Sequence, residues 1–278
     1  DPQASLSDIF QRDIFGKGPV EILPNLHAQE IDADARIRAY QEEIREKIRR
    51  LHGLDAVPDE IEAYIRGAAA EPGMEESAIL DQVVDLVAAG AYDYYVYDLV
   101  PLGHALYYLS MAQVYDDWIR RITGLREEMR WYEELAATLA GQTAREDGIL
   151  RELQDIRQRM GAASGILTDR ERSAFVVVIA PEAMVLRDTR TAAGLFAKLA
   201  VPLAGYVVNR ILPESLATGA PPFLAGRLEM QRGHLREIQE LGAAVLARVP
   251  EFEQEVVGLP MVARMAAALF GPAASGTP

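Results

Sequence analysis

Asp98 closes the run YDYYVYD at residues 92–98, and the loop LVPLGH follows it to His104. Tyr92, Tyr94, Tyr95, Val96 and Tyr97 are aromatic or β-branched, and such a run predicts a buried strand. A carboxylate at the carboxyl end of such a strand is suited to hold Mg²⁺ beside the phosphates of a nucleotide. Pro101, Gly103 and His104 lie in the loop just beyond it. Phosphates also need a glycine-rich cradle with a lysine, yet the chain holds no G-x-x-x-x-G-K-[ST] run. Its nearest approach is FGKGPV, Phe15 to Val20, which lacks the leading glycine and the Ser/Thr.

The elements needed to position these residues follow from hydrophobic period. A helix can start at Ser5 or Ser7 as N-cap, and Asn25 to Ile31 reads as a short strand. From about Asp34 a helix carries Ile37, Tyr40, Ile44, Ile48 and Leu51 on one face at three- and four-residue steps. The stretch from Pro72 to Gly90 opens with a Pro-Gly turn and continues as a helix into the tyrosine-rich strand. Residues 105–170 are helical in pattern almost throughout. Ala174 to Pro181, AFVVVIAP, predicts a fully buried strand, followed by a helix over Leu186 to Leu199 and a strand over Ala204 to Arg210. A long helix is expected near Leu224 to Arg248 and a last one near Leu259 to Phe270, before a disordered tail over 271–278. Strands separated by helices imply an α/β fold, a mostly parallel sheet with helices on both faces, here with a helical subdomain at 105–170 inside a single domain spanning 1–278.

Composition narrows the function. The chain has 278 residues, of which 50% are hydrophobic, and a net charge of −14. That negative charge argues against nucleic acid or anionic membrane surfaces as partners. There is no cysteine, which removes disulfides, thiolate zinc sites and cysteine nucleophiles. No apolar run is long enough to cross a bilayer, and a cytoplasmic location fits.

DPQASLSDIF, FGKGPVEILPNLHAQEID, PGMEE, YDYYVYDLVPLGHALYYLS, LTDRERSAFVVVIAPEAM, YVVNRILP and PEFEQEVVGL occur in an order that resembles the arsenite-pump and tail-anchored-protein targeting ATPases, anion-transporting ATPases with a deviant P-loop. The resemblance runs from Asp1 to about Phe270. It implies a P-loop NTPase fold, ATP and Mg²⁺ as cofactors, ATP hydrolysis that drives a conformational change, and a homodimer. Asp1 matches the switch I aspartate that orients the attacking water, and Asp98 the aspartate that binds Mg²⁺ through water. Pro101, Gly103 and His104 match switch II, where a glycine N–H approaches the γ-phosphate. Asn209 resembles the asparagine that reads adenine. Pro250, Glu251 and Phe252 fall in the loop that covers the base, with Glu255 and Gly258 completing its P-x4-E-x2-G pattern.

The chain also departs from the family. Its switch II has Leu99, Leu102 and Ala105 where the family has hydroxyls, and Tyr107 where it has arginine. Lost hydroxyls remove hydrogen bonds to metal, water or phosphate. Without cysteine, a thiolate arsenite site and the zinc-bridged dimer of the family are ruled out. Val114, Trp118, Ile122, Leu125, Met129 and Tyr132 form one apolar stripe, and Ile149, Leu153, Ile156 and Met160 another. Such stripes pack as core or, in part, face outward as a groove for a client. Trp118, Ile122 and Met129 are the groove candidates for a hydrophobic protein segment or membrane protein, since methionine suits adaptable surfaces. Three functions stay open: an ATP-driven switch acting on such a client, a nucleotide-binding regulatory module with little hydrolysis, and the energising subunit of a membrane anion pump not specific for arsenite.

Family members carry a strand, a glycine-rich loop with two lysines, a helix and a second strand ahead of the DP motif, a strand–helix–strand unit on the order of 40 residues. The sequence is therefore expected to be an N-terminally truncated piece that alone binds ATP negligibly and is inactive. The reading frame upstream of Asp1 is expected to encode G-K-G-G-x-G-K-[ST]. Sequencing that DNA checks it, and an in-frame stop with an initiator close to Asp1 overturns it.

Overall fold

A computed structural model describes residues 5–52, 55–69, 74–99 and 165–271, together with 120, 121, 123–125, 131, 151, 158 and 161. Along the chain these form α1 (Ser5–Phe10), β1 (Val20–Leu23), β2 (Leu26–Ala28), α2 (Ala33–His52), α3 (Asp59–Ala69), α4 (Met74–Ala89), β3 (Phe175–Ile179), α5 (Ala183–Lys198), β4 (Leu203–Ile211), a 3₁₀ turn (Glu214–Ala217), α6 (Pro222–Gln239), β5 (Val245–Pro250) and α7 (Leu259–Phe270). They fall into two compact units, one over the described residues of 3–30 and 167–278, the other over those of 31–166.

In the first unit, β3, β4 and β5 form a parallel sheet in that order. Tyr206 and Val208 of β4 are fully buried and meet Ile179 of β3, Leu186 of α5 and Ile238 of α6 in one core. The α/β expectation holds: a parallel sheet flanked by helices. The tight fit of β4 against β5 depends on Gly205. A Cβ there would lie 2.3 Å from the Ala244 carbonyl oxygen and 2.9 Å from Leu246 Cγ. That carbonyl is drawn in because it accepts the Tyr206 N–H at 2.8 Å.

A second small core joins Ile14, Ile22 and Ala28 to Leu6, Phe10, Val20 and Leu259. β1 and β2 make an antiparallel hairpin, with Asn25 at φ 67° in its turn. The strand expected over Asn25 to Ile31 is thus shorter, ending at Ala28. Helix α1 has six residues, too few to stand alone. Its exposed N–H groups are met by Glu30, whose carboxylate accepts from Leu6 N at 2.5 Å, Ser7 N at 3.0 Å and Ser7 Oγ at 2.5 Å. Ser7 Oγ in turn accepts the Ile14 N–H at 3.1 Å.

In the second unit α2 packs on α3 and α4, burying Ile37, Ile65 and Ile79. Asp32 caps α2 by accepting the Ala35 N–H at 2.8 Å. The charged run over residues 41–50 lies within α2. It ties helices together: Arg45 Nη2 meets Glu62 of α3 at 2.6 Å.

Three expectations need correction. Residues 92–97 form no buried strand: Tyr94 is 90% and Val96 98% exposed. A strand is stable only when a neighbour completes its ladder, and among the described residues no β-ladder includes this run. Instead Tyr92 and Tyr95 stack edge-to-face at 5.6 Å. β3 is not buried on both faces, since Val176 and Val178 stay exposed. It is an edge strand of the described sheet, and only alternate residues reach the core. The long helix does not run to Arg248. Leu235, Ile238, Leu241, Val245 and Val249 fall at helical steps, but α6 ends at Gln239 and Gly242 turns the chain at φ 85°. β5 then alternates, with Leu246 exposed and Val249 buried. The apolar stripes of 114–160 and the tail beyond Gly271 lie outside the described residues, apart from Leu125, which is 62% exposed.

Gly205→Ala is expected to lower folding stability by about 1–3 kcal/mol, the cost of forcing an atom into a packed contact. Urea unfolding measures it, and an unchanged midpoint would show that the sheet tolerates the added carbon.

Candidate functional site

Ligands of open parallel sheets bind at the carboxyl ends of the strands. Here β4 ends in an unusual way. Arg210 adopts a left-handed backbone at φ 61°, and its N–H is caught at 2.9 Å by Oδ1 of Asn209. The Asn209 side chain is thereby fixed through its oxygen, and its amide nitrogen is the group that carries N–H donors.

The next residue returns to pairing. Ile211 registers with Pro250 and its carbonyl accepts the Glu251 N–H at 2.8 Å. Arg210 Nε reaches the Glu251 carboxylate at 2.9 Å, and this pair raises the already high pKa of the guanidinium. Leu212 is served by a side chain. Gln231 of α6, buried, accepts the Leu212 N–H at 2.7 Å and donates to its carbonyl at 3.0 Å. The amide replaces a missing strand and binds α6 to the end of β4.

Beyond β5, the loop Glu251–Val257 is tied down along its length. Arg264 of α7 forks onto Glu253 with contacts of 2.5 and 2.9 Å and lies 4.8 Å from the centroid of the Phe252 ring. Gln254 Nε2 donates to Met261 Sδ at 2.9 Å. Gly258, at φ 79°, opens α7 and donates its N–H to Ile9 at 2.7 Å. The glycine that closes the P-x4-E-x2-G pattern therefore sits where a side chain would be strained.

The sheet thus brings together Asn209 with Pro250, Glu251 and Phe252, on adjoining strand ends. A cleft of about 460 Å³ opens beside them, lined by Pro181 and Met184 at the start of α5, Phe223 and Gln231 of α6, and Arg210 and Glu251. It includes neither Asn209 nor Phe252. Asp98 belongs to the other unit and is exposed. A single exposed carboxylate suits a cation that keeps most of its water and takes its other ligands from phosphates. Among the described residues no group of three His, Asp or Glu side chains converges on a metal position. Asp1, Pro101, Gly103, His104, Trp118, Ile122 and Met129 lie outside the described residues.

Residues 1–271 match the family model described as anion-transporting ATPase. The chain belongs to that family. A relative from Aquifex aeolicus, described as arsenical pump-driving ATPase 2, is 26% identical over 93% of this chain and 83% of its own. A second from the same organism, arsenical pump-driving ATPase 1, is 28% identical over 98% of this chain and 70% of its own. ATPase GET3B of Arabidopsis thaliana is 25% identical, with 94% of this chain and 67% of its own covered. No described helix is long and apolar enough to cross a membrane.

Membership makes this an ATPase-family chain, and the features that sequence reading missed are those that shape its strand ends. β5 was hidden inside a helical period. The Arg210 latch, the Gln231 bridge and the Arg264 fork join residues 11 to 41 positions apart. Only Gly242 signalled the missed strand, as a helix stop.

Arg264 holds the Glu253 carboxyl below its ordinary value of 4.5. A depressed carboxyl contributes its full stabilisation above that value and loses it as pH falls through the lower folded one. Hydrogen exchange of the 251–258 amides is therefore expected to stay constant from pH 7 to 5, after correction for intrinsic rates, and to accelerate well below 4.5. Loosening already complete at pH 5.5 would contradict the fork as the tether.

Proposed function

We propose that the protein is an ATP-driven switch that binds Mg-ATP, hydrolyses it to ADP and phosphate, and uses the cycle to act on a hydrophobic protein segment. The observation that carries this reading is the meeting of Asn209 and the 250–258 loop at the carboxyl edge of a parallel sheet, in a chain matched to an ATPase family over residues 1–271.

In this reading Asn209 donates to the adenine and Phe252 covers it. Asp98 holds Mg²⁺ through water, and the ion supplies charge neutralisation at the phosphate oxygens. The Gly103 N–H reaches the γ-phosphate between Pro101 and His104. Asp1 accepts a proton from the attacking water and aims its lone pair. Glu30 supports that role, because it anchors the N-terminus of α1 only a few residues beyond Asp1. The protein works as a cytoplasmic homodimer, and Trp118, Ile122 and Met129 line the client groove.

A second reading is favoured by Leu99, Leu102, Ala105 and Tyr107: a regulatory module that binds nucleotide with little hydrolysis. Without those hydroxyls, backbone contacts can still hold the nucleotide, but the attacking water loses partners. An energising role for a membrane anion pump is the third, drawn from the names of the Aquifex relatives; the chain's lack of cysteine leaves arsenite out of it.

Two substitutions in the intact protein test the assignment. Asp98→Asn is expected to weaken Mg-ATP binding and turnover together. Asp1→Asn is expected to leave ATP binding nearly intact while lowering single-turnover hydrolysis roughly 10²- to 10⁴-fold. Parental hydrolysis by Asp1→Asn would remove its catalytic role. A parent without hydrolysis above background would favour the regulatory module.

A further inference from the structure

We propose that Arg264 is a positioning residue: it holds the Phe252 ring as a rigid plate whose opposite face stacks on the base of the bound nucleotide. This rests on the reading of residues 250–258 as the base-covering loop. Nothing in the sequence pattern of that loop reaches as far as Arg264, which stands in α7.

The geometry has three parts. The Arg264 guanidinium lies over one face of Phe252, 4.8 Å from its centroid, an attractive contact for a cation on a π-face. The same guanidinium is fixed by two parallel bonds, Nη1 to Glu253 Oε1 at 2.5 Å and Nη2 to Oε2 at 2.9 Å. A forked pair defines the orientation of the planar group, which a single bond does not. The loop is closed at both ends, by the Glu251 N–H on Ile211 and the Gly258 N–H on Ile9. The half-buried ring is therefore held from one side by a group that is itself fixed, and the proposal gives its other side to the base.

This matters for binding because a loop phenylalanine without such a hold loses rotamer and backbone freedom when it closes on a ligand. Arg264 removes that cost before the ligand arrives. Stacking is tolerant of base identity, so the plate adds affinity while Asn209 supplies the reading of the edge. Lysine cannot substitute fully, since an ammonium presents no plane and no fork.

The test uses the intact protein with Mg²⁺ and measures dissociation constants by calorimetry for ATP and for inorganic tripolyphosphate, which has no base. Arg264→Gln is expected to weaken ATP binding roughly 5- to 20-fold and to leave tripolyphosphate binding unchanged. Arg264→Lys should recover only part of the loss, and Glu253→Gln should produce a smaller loss confined to ATP. Equal weakening of tripolyphosphate would overturn the proposal, because Arg264 would then act on phosphate charge or on the fold. Full rescue by lysine would overturn the role of the fork. If Phe252→Ala weakens ATP binding and Arg264→Gln does not, the positioning role fails and the base-covering loop survives. If Phe252→Ala also leaves ATP binding unchanged, the reading of the loop fails and the positioning role falls with it.

Discussion

A strand that leaves a sheet must still satisfy its last backbone groups, and at the end of β4 this requirement organises everything nearby. Three successive residues are served by three different partners. The Arg210 N–H goes to the Asn209 side chain, the Ile211 carbonyl to the Glu251 N–H, and both groups of Leu212 to the Gln231 amide. Each partner comes from a different place in the chain. The strand's exit therefore fixes α6 and the loop after β5 at once. Any one of these groups left unpaired in a buried setting would cost about 1–3 kcal/mol, more than the exposed Arg210–Glu251 ion pair can contribute on its own.

Much of this was legible in the sequence where a single period dominates. β4 and α7 were read nearly to the residue, because VVNR is β-branched into a polar end and Leu259–Phe270 keeps a helical face between Gly258 and Gly271. Where two periods coincide the reading failed. Leu241, Val245 and Val249 satisfy a helical spacing as well as a strand's, and only the turn at Gly242 separates them. Likewise, Tyr92 to Tyr97 have strand-forming side chains, but pairing is a property of a neighbour and not of the run itself. The site residues divide the same way. Asn209 and Pro250 to Phe252 are candidates drawn from a motif, and the structure sets them on adjoining strand ends. Gln231 and Arg264 act through contacts across long sequence separations, which no local pattern encodes.

The small core beside the sheet follows another rule. A six-residue helix survives because a carboxylate from the end of the following hairpin accepts its first N–H groups, while Leu6 and Phe10 pack on Ile14 and Ile22. The sequence offers Ser5 and Ser7 as caps. The structure uses Ser7 as a relay, receiving from Ile14 and donating to Glu30. Ser7 thus acts from inside α1 and not as an N-cap, and its partner Glu30 lies 23 positions away.

The open face of β3 bears on how the protein behaves in solution. Val176 and Val178 are 47% and 62% exposed on a strand with one ladder neighbour among the described residues, the kind of surface on which chains associate. A net charge of −14 opposes such encounters by long-range repulsion. That protection has a range: at 0.1 M salt the screening length is about 10 Å. Concentrated salt shortens the reach of that repulsion and leaves the exposed valines less guarded.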